Sequence, residues 1–244
     1  MRIDVFLVEK GLLSSRSRAK ELIEKGAVTV SDKIITKPSF DISEATDEND
    51  VKIDENENKY VSRGGYKLEA LLKAFSIDAR DKIALDIGAS TGGFTDCLLK
   101  HGAKRVFAVD SGTAQLSPQI RCDERVVSIE NYNARYLDKK DFTDNFDIVT
   151  IDVSFISQTL IIPKISELLS SGALFLSLIK PQFEVGKEFI GKKGIVKDGR
   201  ARDFAVKKVC DLACSMGFEL QGVIESPIYG GDGNIEYLAY FKRI

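Results

Sequence analysis

The chain has 244 residues, of which 43% are hydrophobic and 30% are charged, and its formal net charge is −2. This composition is ordinary for a soluble globular protein, and the length suits one large domain together with a small one. The longest apolar runs, such as Ala173–Leu176, are far shorter than the roughly 20 residues that a transmembrane helix needs, and no signal peptide opens the chain. We therefore expect a cytoplasmic protein that has no membrane partner.

The first 59 residues are predicted to form a small α+β domain. An apolar face marks a first helix, and a second helix, Arg18–Lys25, follows a capping serine, Ser15 or Ser17. The segments Ala27–Val30 and Lys33–Thr36 then predict the two short strands of a hairpin. An acidic, polar linker that ends at residue 58 separates this domain from the rest of the chain.

The charge of this first segment is unevenly distributed. Residues 1–40 hold eight basic side chains and five acidic ones, whereas the connector that follows is strongly acidic. Basic side chains on a helix and a hairpin suit the phosphates of RNA, and a solvated basic face without a partner is the alternative. The candidate RNA-binding residues are Arg2, Arg16, Arg18, Lys20, Lys25, Lys33, Lys37 and, just beyond the connector, Arg63.

The remainder of the chain alternates predicted strands with predicted helices. This alternation favours an α/β fold with a parallel sheet that is covered on both faces. Too few residues separate the last two strands for a helix, so we expect an antiparallel pair and seven strands with one reversed. The predicted strands are Ile83–Ile87, Val106–Asp110, Val126–Glu130, Ile148–Val153, Ala173–Ile179, Leu220–Glu225 and Glu236–Arg243. The predicted helices are Lys67–Phe75, Phe94–Lys100, Gln158–Leu169 and Asp203–Ser215.

A glycine-rich turn follows the first of these strands, and Asp110 ends the second strand. This order is typical of sheets that hold a nucleotide-like cofactor at the carboxyl ends of their strands. The phosphate-binding G-x-G-x-x-G pattern is absent, and Asp86 and Asp96 flank the turn, so cationic S-adenosylmethionine fits better than a pyrophosphate. A tight turn without a ligand is the alternative. The candidate cofactor residues are Asp86, Gly88, Ala89, Ser90, Gly92, Gly93, Phe94, Asp110, Asn133, Ala134 and Asp152.

Charged residues lie at the ends of other predicted strands. Lys180 closes a buried apolar strand, which is unusual because lysines are almost never fully buried without a partner. Asp152 ends the neighbouring strand and Glu236 opens the last one, so both are possible partners, and Lys67 precedes the first strand. A structural ion-pair cluster is the alternative, but four polar residues that converge on one rim favour a functional site.

These four residues carry a resemblance to a known family. Lys67, Asp152, Lys180 and Glu236 match in order and context the K-D-K-E tetrad of ribose 2′-O-methyltransferases of the FtsJ/RrmJ type. The first segment resembles an S4 RNA-binding domain. The combination resembles, over essentially the whole chain, the TlyA family, whose members are named as hemolysins and regarded as rRNA 2′-O-methyltransferases.

Three phrases of the sequence are specific to that family, namely Ser62–Leu68, Asp86–Phe94 and Lys180–Glu184. The resemblance implies an S4-like domain in residues 1–59 and a Rossmann-like methyltransferase domain in residues 60–244. It implies S-adenosylmethionine as the cofactor, no metal, and rRNA or a ribosomal subunit as the partner. Cytidine in large-subunit rRNA is the expected target, with small-subunit rRNA as a further one. The exact nucleotide and the oligomeric state stay open.

Ribose methylation gives the tetrad a chemical task. The 2′-hydroxyl is a weak nucleophile that must be held in line with the methyl group and must lose its proton. Lys180 would have to be partly neutral to accept that proton, or it would orient the hydroxyl and stabilise the developing alkoxide. The alternative functions are a non-enzymatic RNA-binding protein, a membrane-active hemolysin and a base methyltransferase, whose N-P-P-Y type of signature is missing.

Two further features complete the reading of the sequence. The four cysteines have no C-x-x-C spacing and His101 is the one histidine, so we expect reduced thiols and no zinc site. The segment from Gly191 to Lys197 holds three lysines, and it could contact phosphates near the active site. Lysines and glycines in a surface loop need no function, and this reading is the alternative.

Overall fold

The computed structural model describes residues 1–13, 15–43, 46–54 and 59–244. The chain divides into two compact units, Met1–Ser62 and Arg63–Ile244. The predicted polar linker at residues 55–58 lies outside the described residues.

The first unit contains two helices and a small antiparallel sheet. Its elements are α1 Ile3–Glu9, α2 Arg16–Glu24, β1 Val28–Val30, β2 Lys33–Ile35 and β3 Val51–Ile53, with a 3-10 turn at Glu48–Asp50. The strands lie in the order β2-β1-β3, and both neighbours of β1 run antiparallel to it. Ser15, and not Ser17, caps α2, because its hydroxyl accepts a hydrogen bond of 3.2 Å from the Arg18 backbone N–H. The antiparallel pair of β1 and β2 is the predicted hairpin.

A continuous apolar core holds these elements together. Ile3 and Phe6 of α1 pack with Leu22 and Ile23 of α2 and with Val28 of β1, and all five side chains are buried. Two short helices and three-residue strands bury little surface individually, so this shared core supplies most of their stability.

The second unit is built on a sheet that has seven strands within the described part of the chain. The strands are β4 Ile83–Ile87, β5 Arg105–Val109, β6 Val126–Ile129, β7 Phe146–Ile151, β8 Leu169–Ile179, β9 Phe218–Glu225 and β10 Tyr237–Arg243. Their order is β6-β5-β4-β7-β8-β10-β9. β10 runs antiparallel to both β8 and β9, whereas the pairs from β6 to β8 are parallel. The expectation of a mostly parallel sheet with one reversed strand is confirmed.

Helices cover this sheet, and three of them, α5, α6 and α7, depart from the prediction. They are α3 Arg63–Ala74, α4 Gly93–Lys100, α5 Pro118–Arg121, α6 Ile162–Leu168, α7 Pro181–Glu184 and α8 Gly199–Ser215. Short 3-10 turns lie at Ala134–Tyr136, Lys139–Asp141, Gln158–Leu160 and Lys187–Phe189. The four-residue helices α5 and α7 were not predicted, since one turn shows no periodicity. The predicted helix Gln158–Leu169 is a 3-10 turn followed by α6, because Pro163 suits a helix start.

The sheet sets the position of the functional residues. The parallel strands β4 to β8 all end at one edge, and their last residues, such as Ile87, Val109, Ile151 and Ile179, are fully or almost fully buried. Polar residues that follow these strands are therefore brought to one rim, where α/β sheets bind ligands. Within the described residues, no helix combines the length and the apolar character that crossing a bilayer would require.

Candidate active site

A cavity of about 820 Å³ opens at the carboxyl ends of β4, β5 and β7. Its volume falls in the range of roughly 300–1,000 Å³ that is usual for small-molecule sites. All of its lining residues lie between Ile87 and Ile161. The lining includes six of the predicted cofactor residues: Gly88, Ser90, Asp110, Asn133, Ala134 and Asp152.

Gly88 allows two strand ends to meet at the floor of this cavity. Its φ is +82°, and a Cβ added there would lie 2.3 Å from the backbone oxygen of Asp152. A side chain would therefore push the end of β4 away from the end of β7. The missing side chain keeps Asp152 next to the turn and leaves backbone within reach of a ligand.

Asp110 presents a fixed carboxylate to the cavity. The backbone N–H of Ser90 donates to its Oδ2 at 2.8 Å, and that of Gly112 donates to its Oδ1 at 2.7 Å. Each carboxylate oxygen has a second lone pair that can accept a further hydrogen bond. The pair of hydroxyls on a ribose would suit these acceptors. Across the cavity, Asn133 caps the following 3-10 turn by accepting from the Arg135 N–H at 3.1 Å.

Asp86 has a structural place behind the cavity. Its carboxylate is fully buried and accepts hydrogen bonds from the hydroxyls of Thr95 at 2.7 Å and Thr150 at 2.8 Å. Burial raises the pKa of Asp86 to about 6, and these two hydrogen bonds limit the rise. The predicted cofactor residues outside the cavity lining are Asp86, Ala89, Gly92, Gly93 and Phe94. These residues are buried and lie in the turn and at the start of α4 or, for Asp86, in β4, so the structure places them behind the cavity wall.

The four charged residues of the predicted tetrad form two ion pairs. Lys67 Nζ lies 2.5 Å from Glu236 Oε2, and their side chains are only 8% and 3% exposed. Lys180 Nζ lies 2.5 Å from Asp152 Oδ1, and these side chains are 13% and 22% exposed. Lys180 therefore pairs with the first of its two possible partners, and Glu236 pairs with the lysine of α3.

The strand register places the two pairs side by side. Tyr237 of β10 pairs with Ile179 of β8, so the residues just beyond them, Glu236 and Lys180, lie opposite each other. Asp152 in turn lines the cavity. The Lys180–Asp152 pair thus joins the cavity to the Lys67–Glu236 pair along a single rim.

Two residues that follow Asp152, Ser154 and Phe155, were not among the predicted site residues. Lys180 Nζ donates to Ser154 Oγ at 3.0 Å, so this hydroxyl shares the lysine with Asp152. Ser157, and not Ser154, caps the turn that follows. Phe155 has a φ of +64° and is 94% exposed at the mouth of the cavity. A strained, solvent-facing phenylalanine offers a flat apolar surface, and no sequence pattern announces it.

Glu184 fastens the segment that follows Asp152. Its buried carboxylate accepts from Ser157 Oγ at 2.5 Å and from the Gln158 N–H at 2.8 Å. Lys208 of α8 donates to the Glu184 backbone oxygen at 2.9 Å. Gln158 in turn donates to the Leu178 oxygen of β8 at 2.5 Å. The loop that carries Asp152 and Ser154 is therefore tied to two other elements, and no sequence pattern predicts this network.

The first unit presents some, but not all, of its predicted RNA-binding residues. Arg2 and Arg16 donate to Asp4 at 2.9 and 3.0 Å and remain 48% and 60% exposed. Burial acts to raise the pKa of Asp4, but hydrogen bonds from Arg16 and Arg2 outweigh it and the net pKa is lowered. Arg18 is only 6% exposed and pairs with Glu21, because it shares the buried face of α2.

The other candidates in the basic set differ in accessibility. Arg63 begins α3 in the second unit and is half-buried. The exposed ones are Lys20, Lys25, Lys33 and Lys37. Within the ranges that the structure describes, no group of three or more His, Cys, Asp or Glu side chains is arranged to hold a metal ion.

Comparison with solved structures gives the class of the second unit. A Listeria monocytogenes protein named as an S-adenosylmethionine-dependent methyltransferase aligns with 75% of this chain and 100% of its own, with 18% identity and a TM-score of 0.56. Aeropyrum pernix fibrillarin with bound S-adenosylmethionine aligns with 73% of this chain and 76% of its own, with 17% identity and a TM-score of 0.53. The sheet order and this similarity define a Rossmann-like α/β fold. The FtsJ-like methyltransferase family model matches residues 60–243, and the S4 domain model matches residues 1–48. The chain therefore belongs to the FtsJ-like methyltransferase family and carries an S4 domain.

Full-length relatives agree with this assignment. The 16S/23S rRNA (cytidine-2′-O)-methyltransferase TlyA of Mycobacterium tuberculosis is 40% identical over 99% of this chain and 89% of its own length. Hemolysin A of Brachyspira hyodysenteriae is 43% identical over 99% of both chains. A solved Streptococcus thermophilus protein whose name includes the word hemolysin is 43% identical, with a TM-score of 0.79 over 100% of this chain and 88% of that one. The resemblance to the TlyA family is confirmed.

Proposed function

We propose that the protein transfers a methyl group from S-adenosylmethionine to a ribose 2′-hydroxyl of rRNA, with cytidine as the target nucleotide. The observation that carries the proposal is the placement of the Lys180–Asp152 pair between the cavity and the Lys67–Glu236 pair. The name of the Mycobacterium tuberculosis relative supplies the acceptor and the base. An rRNA substrate implies that the protein works in the cytoplasm.

The cavity fits the proposed cofactor. The carboxylate of Asp110 would accept the ribose hydroxyls, and Asn133 with Ala134 would frame the adenine edge. Gly88 leaves the backbone open at the point where a Cβ would collide with Asp152. S-adenosylmethionine, when bound, supplies a methyl group on a positively charged sulfur. We name this part of the rim, at the ends of β4, β5 and β7, the cofactor half.

The rest of the rim would hold the acceptor. We name the end of β8 and the start of β10, with Lys180 and Glu236, the acceptor half. Lys180 would orient the 2′-hydroxyl and stabilise the negative charge that grows on its oxygen as the proton leaves. Asp152 and Ser154 fix the position of the lysine, and the Lys67–Glu236 pair lies next to it along the rim. Correct alignment of weak reactants accounts for much of the rate in such transfers.

Phe155 presents an exposed ring at the mouth of the cavity, beside the acceptor half. It lies three residues after Asp152, and its ring centroid is 5.3 Å from that of Phe183. Bases stack on exposed aromatic rings with energies of about 1–3 kcal/mol. We propose that Phe155 stacks on the base whose ribose is methylated. The S4 domain would bind structured rRNA through Arg2, Arg16 and the exposed lysines of the first unit, and buried Arg18 is left out of this surface.

The test is the Lys180→Ala variant, with Lys164→Ala as the matched control on an exposed, ion-paired lysine. Methyl transfer to rRNA should fall at least about 100-fold in Lys180→Ala, because charge stabilisation at the reacting oxygen is lost. Calorimetry should show unchanged binding of S-adenosylmethionine, and Lys164→Ala should behave as the unmodified protein. Near-normal turnover without Lys180 would refute its role. If the unmodified protein and Lys180→Ala lyse erythrocytes equally and neither transfers a methyl group, the activity named in the hemolysin relatives would be favoured instead.

A further inference from the structure

A lysine-rich loop borders the acceptor half. Residues 191–200, which we name the basic loop, run from the segment after β8 into the first turn of α8. The loop contains four basic side chains, Lys192, Lys193, Lys197 and Arg200, and a single acidic one. All four basic side chains are exposed. The acidic one, Asp198, caps α8 and offsets only one of these four positive charges.

Asn234 holds this loop in a fixed position beside the tetrad. The Val196 N–H donates to Asn234 Oδ1 at 2.9 Å, and Asn234 Nδ2 donates to the Gly194 oxygen at 2.9 Å. Asn234 is 1% exposed. It precedes Glu236 by two residues, a chain distance of at most about 7 Å. The loop is therefore anchored to the strand start that carries Glu236.

The lysines of the basic loop have no acidic partners among the described residues, since no carboxylate lies within 4.0 Å of them. Three surface lysines elsewhere in the second unit do pair with neighbouring carboxylates, at 2.6–2.9 Å: Lys140 with Asp138, Lys164 with Glu167, and Lys207 with Asp211. Unpaired, exposed cations that are clustered on an anchored loop are suited to anions supplied by a partner.

The sheet order places the loop on the side where the acceptor would enter. The cavity is lined only by residues between Ile87 and Ile161, at the ends of β4, β5 and β7. The basic loop is anchored at the start of β10, on the far side of β8. Lys180 lies between the two. A ribose that reaches Lys180 opposite the cofactor half therefore approaches from the side of the basic loop.

We infer that the basic loop binds backbone phosphates of the rRNA strand next to the ribose that is methylated. This inference rests on the proposed function. In RNA the 2′-hydroxyl is adjacent to the 3′-phosphate, so any acceptor ribose within a strand brings phosphates close to the tetrad. Lysines on the loop neutralise these phosphates and release their counterions, which makes binding dependent on salt concentration.

The experiment compares two triple variants that remove the same charge. The first is Lys192→Gln/Lys193→Gln/Lys197→Gln in the basic loop. The second, the control, is Lys140→Gln/Lys164→Gln/Lys207→Gln at paired surface lysines. The affinity of each full-length protein for a transcript of the target rRNA is measured between 50 and 200 mM salt, and the affinity for S-adenosylmethionine is measured by calorimetry.

The loop variant should bind the rRNA transcript about tenfold more weakly and should lower the salt slope by about two, because up to three phosphate contacts are lost. The KM for rRNA should rise accordingly, while the affinity for S-adenosylmethionine is unchanged. The control variant should show less than a twofold change in rRNA affinity. This pattern would localise the phosphate contacts to the basic loop.

Three results would overturn the inference. If both variants lowered the affinity for the rRNA transcript equally, the effect would be one of total charge and not of the loop. If the loop variant did not lower that affinity, phosphate contacts by the loop would be excluded. Weaker binding to intact ribosomal subunits, with unchanged binding to the naked transcript, would assign the loop to a ribosomal protein. Binding is measured without turnover, so a failure of methyl transfer in the unmodified protein would count against the proposed function and leave the binding comparison interpretable.

Discussion

The cofactor half and the acceptor half of the rim are constructed by different means. The cofactor half comes from one stretch between Ile87 and Ile161, and backbone amides with glycine set its shape. The acceptor half joins side chains that are far apart in the sequence, since Lys67 and Glu236 are 169 positions apart. Local turn geometry thus shapes the cofactor half, whereas tertiary packing and charge pairing form the acceptor half.

Breaking the acceptor half should have the largest effect. Lys67→Met would leave the Glu236 carboxylate buried without its cation, which should lower the free energy of unfolding by about 3–5 kcal/mol and abolish methyl transfer. Denaturant titration gives the first quantity and transfer to rRNA the second. The affinity for S-adenosylmethionine, measured where the protein is folded, should stay within twofold.

A double variant separates stability from chemistry at the same pair. Lys67→Met/Glu236→Met replaces both charges by apolar side chains, and such replacement is often neutral or stabilising. We expect most of the lost unfolding free energy to return while methyl transfer stays absent. Recovery of transfer would contradict a role for the charged pair, and loss of cofactor binding in either variant would contradict the independence of the two halves.

Breaking the cofactor half should come next in size. Gly88→Ala places a methyl group 2.3 Å from the Asp152 backbone oxygen and forces alanine into a φ of +82°. We therefore expect the free energy of unfolding to fall by about 3 kcal/mol. Gly172→Ala is the matched control, because its φ is +88° with open space around it. That variant should lose only about 1 kcal/mol. Equal losses in both variants would show that the approach of β4 and β7 does not depend on Gly88.

The pH dependence of stability tests the structural place of Asp86. Its pKa is raised from 3.8 to about 6, so the folded state favours the protonated acid. Its contribution to stability is therefore full below about pH 4 and is lost as the pH rises through about 6, by up to about 3 kcal/mol. Asp86→Asn should flatten this part of the stability profile relative to the unmodified protein. A difference between the two proteins that is the same at pH 4 and pH 7 would refute the assignment.

Asp110→Asn should have the smallest effect and sharpens the contrast with Asp86. Asparagine keeps one acceptor oxygen but turns an amide group toward a backbone N–H that now donates to the carboxylate. We expect the Kd for S-adenosylmethionine to rise about tenfold, which corresponds to about 1.4 kcal/mol. Asp138→Asn, at an exposed 3-10 cap, is the control and should leave the Kd unchanged. An unchanged Kd in Asp110→Asn would remove this residue from the binding site.

The fold was largely predictable because its signals are local. The glycine turn and the alternation of apolar strands with helices indicated the sheet, and the short final connection indicated the reversed strand β10. The helices α5 and α7 escaped prediction because each is a single turn. The split of Gln158–Leu169 depends on Pro163, which could have been read as a helix start.

The site was predictable only in part, because its contacts are not local. The sequence left Lys180 with two possible partners, and the packing of α3 near β10 decides that Glu236 pairs with Lys67. Arg18 was assigned to the surface from its charge alone. Its spacing of four from Leu22 places both on one helix face, and this signal could have indicated burial. The contacts of Ser154 and Glu184 depend on the assembled sheet and left no pattern in the sequence.

The reversed strand β10 has a consequence for the order of folding. The cavity is lined only by the stretch from Ile87 to Ile161, so its lining residues are comparatively close together in the sequence. Contacts between residues that are close in the sequence form faster than distant ones. The tetrad is complete only when β10 has docked against β8 and Glu236 has reached Lys67. A chain that has not yet docked this strand can already possess a cavity, but under the proposed function it would lack a complete tetrad. If the tetrad acts as proposed, methyl transfer also reports that a contact between residues 169 positions apart has formed.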